Sequence, residues 1–154
     1  MIKSNEIIDL VQLASTWVEE QENFILSKGI KLNSKQMDLA SKIGIIEIEK
    51  VRLLKVDSIP LPLNLTLNEA IRFIGLISDK SIGITFRYGI YIRSDYWQDE
   101  SLLIHELTHT RQYEKLGEIS NFLNQYAKEC IYYGYENSPL EIEARGMEFN
   151  IKGK

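Results

Sequence analysis

Ser101-Leu102-Leu103-Ile104-His105-Glu106-Leu107-Thr108-His109-Thr110-Arg111-Gln112-Tyr113 is the stretch around which the rest of this chain can be read. Leu102, His105, His109, Tyr113 and Leu116 recur at the spacing of one helical face. Asp99 or Ser101 can cap the start. Gly117 ends the helix just after Lys115, whose charge suits a helix C-terminus. Inside the run stands H-E-x-x-H, which uses both histidines of the chain. Residues four apart on a helix lie one turn above the other, so two imidazoles there can grip one metal ion from the same side. Zinc is the usual guest. Glu106 sits about 100° further round the helix. Its carboxylate then lies beside the ion's open position, where it can take a proton from metal-bound water. The bland alternative is that the three are ordinary core and surface residues.

A catalytic zinc site has three protein ligands and one open position. The third ligand should come from a later helix that crosses the first. Ser138-Pro139-Leu140-Glu141-Ile142-Glu143-Ala144-Arg145 opens such a helix, with Ser138 as cap and Pro139 at its first position. It is expected to run to about Asn150. Glu141 and Glu143 are roughly 200° apart on it, so only one can face the ion. Ser138-x-x-Glu141 is also a capping-box pattern, which offers Glu141 an ordinary role. Glu136, before the helix, is a weaker third candidate. The residues alone leave the choice open.

Just upstream, residues 82–93 alternate. Ile82, Ile84, Phe86, Tyr88, Ile90 and Ile92 are interleaved with Gly83, Thr85, Arg87, Gly89, Tyr91 and Arg93. The pattern predicts a hairpin with the three-residue loop Arg87-Tyr88-Gly89, in which Phe86 faces Ile90 and Gly89 takes the left-handed position. Its edge strand would lie beside the metal helix, where an extended peptide can pair with it.

The remaining elements carry no chemistry of their own. A helix is expected over 5–27, with Ile7, Ile8, Val11, Ala14, Trp17, Val18 and Phe24 as its apolar stripe and Glu19, Glu20 and Glu22 off it. A short helix capped by Asn33 or Ser34 runs to about Lys42. Residues 45–56 look extended. Thr66-x-x-Glu69 resembles a capping box for a helix over 67–77. Asp79-Lys80-Ser81 reads as a turn. A helix from Ile119 or Ser120 to Tyr133 places Cys130 on its apolar face.

Length and composition bound these readings. The chain has 154 residues, enough for one domain with a substantial core. Its hydrophobic content of 44% and charged content of 26% are ordinary for a globular protein. A net charge of −4 gives no pointer to nucleic acid or an anionic membrane. The lone cysteine excludes an intrachain disulfide. The first residues lack the apolar core of a signal peptide, and no apolar run approaches the ~18 residues of a membrane span. Cytoplasm is the default location, with unconventional export left open.

His105-Glu106-x-x-His109, followed by a helix bearing Glu141-Ile142-Glu143-Ala144, resembles the gluzincin metallopeptidases. Thermolysin is one branch and has Leu-Thr inside the pentad, as here. Closer in layout are the minimal gluzincin-like domains of bacteria, with a hairpin, an H-E-L-x-H helix and a helix carrying Glu-x-Glu-Ala. The resemblance covers 82–148. In the minimal domains and the CAAX-processing zinc proteases the ligand stands three residues before the alanine, which implies Glu141. In the thermolysin branch it immediately precedes an alanine, which implies Glu143. The minimal domains match better in length and surroundings, so Glu141 is the expected ligand. Those families often place Asp four residues later to hold a histidine, whereas here that position is Arg145.

The resemblance implies a single zincin-like domain over 1–154, α+β and mostly helical, with a small sheet or hairpin beside the metal helix. Within it, 1–67 supplies the N-terminal helices and strand, and 82–150 the hairpin and the two metal-binding helices. It implies a Zn2+-dependent peptidase acting on a peptide or protein substrate, with His105, His109 and Glu141 on the metal. Glu106 would be the general base. An oxyanion donor is expected in this class. Tyr135 is placed to supply it, and Tyr96 and Trp97 are equally placed to line a cleft. The chain is small for a peptidase, so a protein partner fits. The rival is a non-catalytic, zinc-stabilised interaction or regulatory domain. Glu106 argues against it, because a structural site has no need of a base and usually closes all four coordination positions.

Overall fold

A computed structural model describes residues 3–78 and 80–152. The fold is α+β, as expected, with six α-helices and one four-stranded sheet among the described residues. The helices are α1 (Ser4–Lys28), α2 (Ser34–Ile43), α3 (Leu65–Ile74), α4 (Glu100–Leu116), α5 (Ile119–Tyr133) and α6 (Pro139–Lys152). The strands are β1 (Ile30–Lys31), β2 (Arg52–Val56), β3 (Gly83–Phe86) and β4 (Gly89–Arg93), in the order β1-β2-β4-β3. β2 and β4 run parallel, and the other two pairings are antiparallel. No described helix is long and apolar enough to cross a membrane.

The sheet splits the core in two because successive strand residues point to opposite faces. Leu54, Ile84, Phe86 and Tyr91 face α1 and join a cluster shared with α3 and α5. Leu53, Ile90 and Ile92 face the other way, onto Leu103, Ile104 and Leu107 of α4 and onto α2. α4 is therefore clamped on several sides, and ten of its residues from Leu102 to Tyr113 are buried rather than a single stripe.

Local chemistry explains most boundaries. Asn33 caps α2 by accepting from Gln36 N, and Gln36 returns the bond. Asp99 caps α4 by accepting from Leu102 N at 2.9 Å. α3 starts earlier than Thr66-x-x-Glu69 suggests, because Asn64 is the cap that accepts from Leu67 N. It also stops earlier, at the left-handed Gly75. The extended stretch expected over 45–56 shortens to β2, preceded by a 3-10 turn at Ile48–Lys50. The turn expected at Asp79-Lys80-Ser81 includes Asp79, which lies outside the described residues.

The hairpin forms, but its register differs from expectation by one residue. Its loop is Arg87-Tyr88, and Phe86 pairs Gly89, Thr85 pairs Ile90 and Ile84 pairs Tyr91. A one-residue shift moves side chains to the opposite face, so Ile84 and Phe86 lie across the sheet from Ile90 and Ile92. The left-handed residue is Arg87, at φ 58°, not Gly89. The cause lies far away in sequence, on α1. Glu22, off the apolar stripe expected of this helix, is 1% exposed. Its carboxylate accepts from Arg87 Nε at 2.9 Å, from an Arg87 Nη at 2.7 Å and from Tyr88 N at 3.0 Å. Those three bonds hold the two-residue turn. Gly89 serves α1 instead, since a Cβ there would stand 2.9 Å from Ile25 Cβ.

Candidate metal centre

The hairpin is fastened to α4 before any site residue is considered. Thr110 Oγ1 donates to Arg87 O at 2.6 Å, and Tyr88 OH donates to Glu114 at 2.8 Å. β3 is thereby held along the pentad. α6 crosses the same stretch of α4, and its first turn is set by Ser138 Oγ, which accepts from Glu141 N at 3.3 Å. Glu129 Oε1 adds a second cap, accepting from Leu140 N at 2.9 Å, so the Glu141 side chain is not needed as a cap and turns inward.

Glu141 reaches both histidines. Its Oε1 is 2.9 Å from His105 Nε2, and its Oε2 is 3.1 Å from His109 Nε2. Tyr126 OH donates to Oε2 at 2.6 Å. One ligand atom from each of His105, His109 and Glu141 lies within 4.8 Å of the other two. Glu143, the alternative, points elsewhere. It accepts from Gln112 Nε2 at 2.8 Å and pairs loosely with Arg111 at 3.9 Å. Glu136 lies in the 3-10 turn before α6, outside this cluster.

The outer nitrogen of each imidazole is occupied. His105 Nδ1 is 2.8 Å from Glu148 Oε2, and His109 Nδ1 is 2.7 Å from Gln112 Oε1. Gln112 is itself fixed, donating to Leu140 O at 2.9 Å. These bonds turn both Nε2 atoms inward. Two imidazole nitrogens and one carboxylate, with the outer ring nitrogens tied to a carboxylate and an amide oxygen, are the donor set that a catalytic zinc ion takes. The residues present fit that ion.

The electrostatics agree. Burial opposes charge on His105, but the Glu141 hydrogen bond, the Glu106 and Glu141 charges and the Glu148 hydrogen bond outweigh it and raise its pKa to about 9. His109 is raised against the same opposing burial, chiefly by Glu141. Burial also disfavours the Glu141 carboxylate, yet His109, His105 and Tyr126 hold it well below the usual carboxylate range. The pocket thus concentrates negative charge that a cation can neutralise.

Glu106 is buried on the side of the triad toward β3. Thr85 Oγ1 lies 2.8 Å from Glu106 Oε1 and 2.9 Å from its carbonyl O. The carboxylate is thereby fixed without being used up, since a hydroxyl brings one proton. Tyr135 stands at the edge of the triad, where two hollows meet, and borders both. Burial, then the Glu141 and Glu106 charges, push its phenol pKa up, so it keeps its proton. Tyr96 and Trp97 border neither hollow. They pack with the α4-side core, under Arg93 and Lys55 respectively. The lining role expected for them is not seen, because the 3-10 turn at Ser94–Tyr96 turns them toward the core.

Four side chains escaped the sequence reading: Thr85, Gln112, Tyr126 and Glu148. Two had a signal. Gln112 follows His109 by three residues, and Glu148 follows Glu141 by seven, which is two turns on one face. Glu148 fills the place that Arg145 leaves open. Arg145 instead donates to the carbonyl of Glu136. Tyr126 lies within the helix expected to end at Tyr133, with no signal of its own, and Thr85 read as one residue of an alternating strand. The chain matches no family model, no curated protein and no solved structure.

Proposed function

We propose that this protein is a zinc-dependent peptidase of gluzincin type, in which His105, His109 and Glu141 hold the ion and Glu106 moves the proton. The observation that carries the reading is the convergence of two inward-turned Nε2 atoms and one carboxylate beside a buried, separately anchored glutamate. When bound, zinc supplies Lewis acidity, polarising a scissile carbonyl and making water acidic near neutral pH.

The chain's own residues do the rest. Glu148 and Gln112 hold the imidazole rings so that only Nε2 faces inward. Thr85 holds the Glu106 carboxylate at one oxygen and leaves the other to take a proton from water and pass it to the leaving amine. Tyr135, kept protonated by burial and neighbouring carboxylates, is the nearby donor for a developing oxyanion. Tyr126 ties down the outer face of Glu141. Apolar residues of α1, α3 and α5 line one side of the triad, and a low local dielectric on that side strengthens these interactions.

A scaffold role predicts no need for Glu106 beside the ligands. The discriminating experiment is metal analysis with a peptide-cleavage assay on wild type, Glu106→Gln, Glu141→Ala and Glu143→Ala. The expected pattern is about one zinc per chain in all but Glu141→Ala, and cleavage lost in Glu106→Gln with its zinc retained. Unchanged cleavage in Glu106→Gln, or zinc lost only in Glu143→Ala, would sink the assignment.

A further inference from the structure

β3 and α4 are joined along one seam. Every second residue of a strand and every fourth of a helix recur at about 6–7 Å, so two such rows can run side by side. Here Gly83, Thr85 and Arg87 follow Leu102, Glu106 and Thr110. Thr110 Oγ1 donates to the Arg87 carbonyl, Thr85 Oγ1 bonds Glu106, and Gly83 lies against both Leu102 and Glu106.

The seam treats the two oxygens of Glu106 differently. Thr85 occupies Oε1 at 2.8 Å. Oε2 has no hydrogen bond among the described residues, and no buried side-chain oxygen among them is left without one. Oε2 is therefore the oxygen that opens on the two hollows, both of which Glu106 and Gly83 border.

That opening depends on the residue at position 83. A Cβ there would stand 3.4 Å from Glu106 Oε2, 3.4 Å from Glu106 Cγ and 3.2 Å from Leu102 Cδ1. A water bonded to a carboxylate oxygen stands at about 2.8 Å, so a methyl group at 3.4 Å takes one side on which water can approach. The backbone does not call for glycine, because Gly83 lies in a strand and outside the left-handed region. Glycine weakens a strand and often marks a close approach; here the approach is that of the Glu106 carboxylate.

We propose that Gly83 is a positioning residue for Glu106. By carrying no side chain it keeps Oε2 the oxygen that water reaches, while Thr85, two residues on, closes Oε1. The proton of water then passes to Oε2, and the O–H electron pair stays on the water oxygen. That Oε2 takes a proton rests on the peptidase reading; that it is the open oxygen rests on the packing of β3 against α4. The added methyl would not disturb the sheet edge. Arg93 N donates to Ile82 O, and bonded and unbonded pairs alternate, so Gly83 turns its N–H and C=O away from β4 while a Cβ would point to α4.

The test compares wild type, Gly83→Ala, Leu102→Val and the double variant Gly83→Ala/Leu102→Val, all zinc-loaded. Valine lacks the Cδ1 that the new methyl would meet, so the double variant relieves the packing and leaves Oε2 covered. Gly83→Ala should lower kcat roughly 10- to 100-fold, with KM and zinc Kd within about twofold and Tm within about 2 °C. The double variant should stay as slow. Crystal structures of wild type and Gly83→Ala give a readout free of turnover: an ordered water on Glu106 Oε2 in the first and none in the second.

Unchanged kcat in Gly83→Ala overturns the proposal. So does recovery of kcat in the double variant, or a fall in zinc affinity and Tm that tracks the fall in kcat, since each assigns Gly83 to packing alone. If wild type cleaves no peptide, the peptidase reading fails, and the crystallographic water decides the rest. Its loss in Gly83→Ala upholds Gly83 as the opening to Oε2, and the same water in both structures overturns it.

Discussion

Glu148→Ala tests whether the outer ring of contacts sets the metal affinity. Glu148 Oε2 lies 2.8 Å from His105 Nδ1 and fixes which nitrogen faces Glu141. Removing such a partner typically weakens metal binding by 10- to 100-fold, about 1.4–2.7 kcal/mol. The Glu148 side chain is 29% exposed, so water can replace part of the lost bond, and the effect belongs near the lower end, about tenfold. The assay is competition with a chromophoric chelator at fixed pH, comparing wild type, Glu148→Ala and Arg145→Ala. Arg145 is the position where family resemblance would look for the histidine's partner, yet its guanidinium goes to the Glu136 carbonyl. Its removal should change the zinc Kd less than twofold. Equal losses in the two variants, or none in Glu148→Ala, would refute the argument that this carboxylate orients His105.

Two further outcomes follow from the packing. Glu22→Ala strips three bonds from the Arg87-Tyr88 turn and leaves a guanidinium that is one-third exposed. Breaking a buried pair costs about 3–5 kcal/mol, less where one partner can be solvated, so about 3 kcal/mol is expected. Calorimetry should show Tm lowered by roughly 6–12 °C, and a shift under 1 °C would mean the turn stands without Glu22. For Cys130, burial, then the Glu141 and Glu129 charges, push the thiol pKa up to about 12. The ordinary value of about 8.5 returns on unfolding. The thiol form favours the native state, so its contribution is complete below about pH 8.5 and is lost as pH rises toward 12. Iodoacetamide at pH 8.5 should label the native protein far more slowly than the urea-unfolded chain, and equal rates would contradict the burial.

Helix α4 was legible because everything it needs is local. Asp99, the pentad and Gly117 lie within one continuous stretch, and each acts on its own neighbourhood. Glu141 was legible at one remove, through its distance from Ala144 in the motifs this stretch resembles, and its carboxylate does reach both histidines. The hairpin was legible as an alternation but not as a register, because two registers share the same period. What separates them is Glu22, on a helix 65 residues away, and nothing in 82–93 reports it. The hollow beside the triad was illegible for a similar reason. The apolar residues around it read as ordinary core, and only the way α1, α3 and α5 meet leaves space between them. Thr85 and Tyr126 belong to that class too, as common residues whose partners are set by tertiary placement.

The parallel joint between β2 and β4 has a consequence for biosynthesis. Leu53 pairs Ile90 and Lys55 pairs Ile92, so β2 finds its main neighbour only in a segment translated later. Until then its partner is β1, two residues long. β3 and β4, by contrast, find each other across a two-residue loop as soon as both have emerged. Local pairs close quickly and distant ones slowly. On the ribosome the N-terminal half therefore waits with an open strand edge, the kind of surface that invites wrong pairing. Delivery of 83–93 from the exit tunnel closes that edge, and with it begins the assembly of the site.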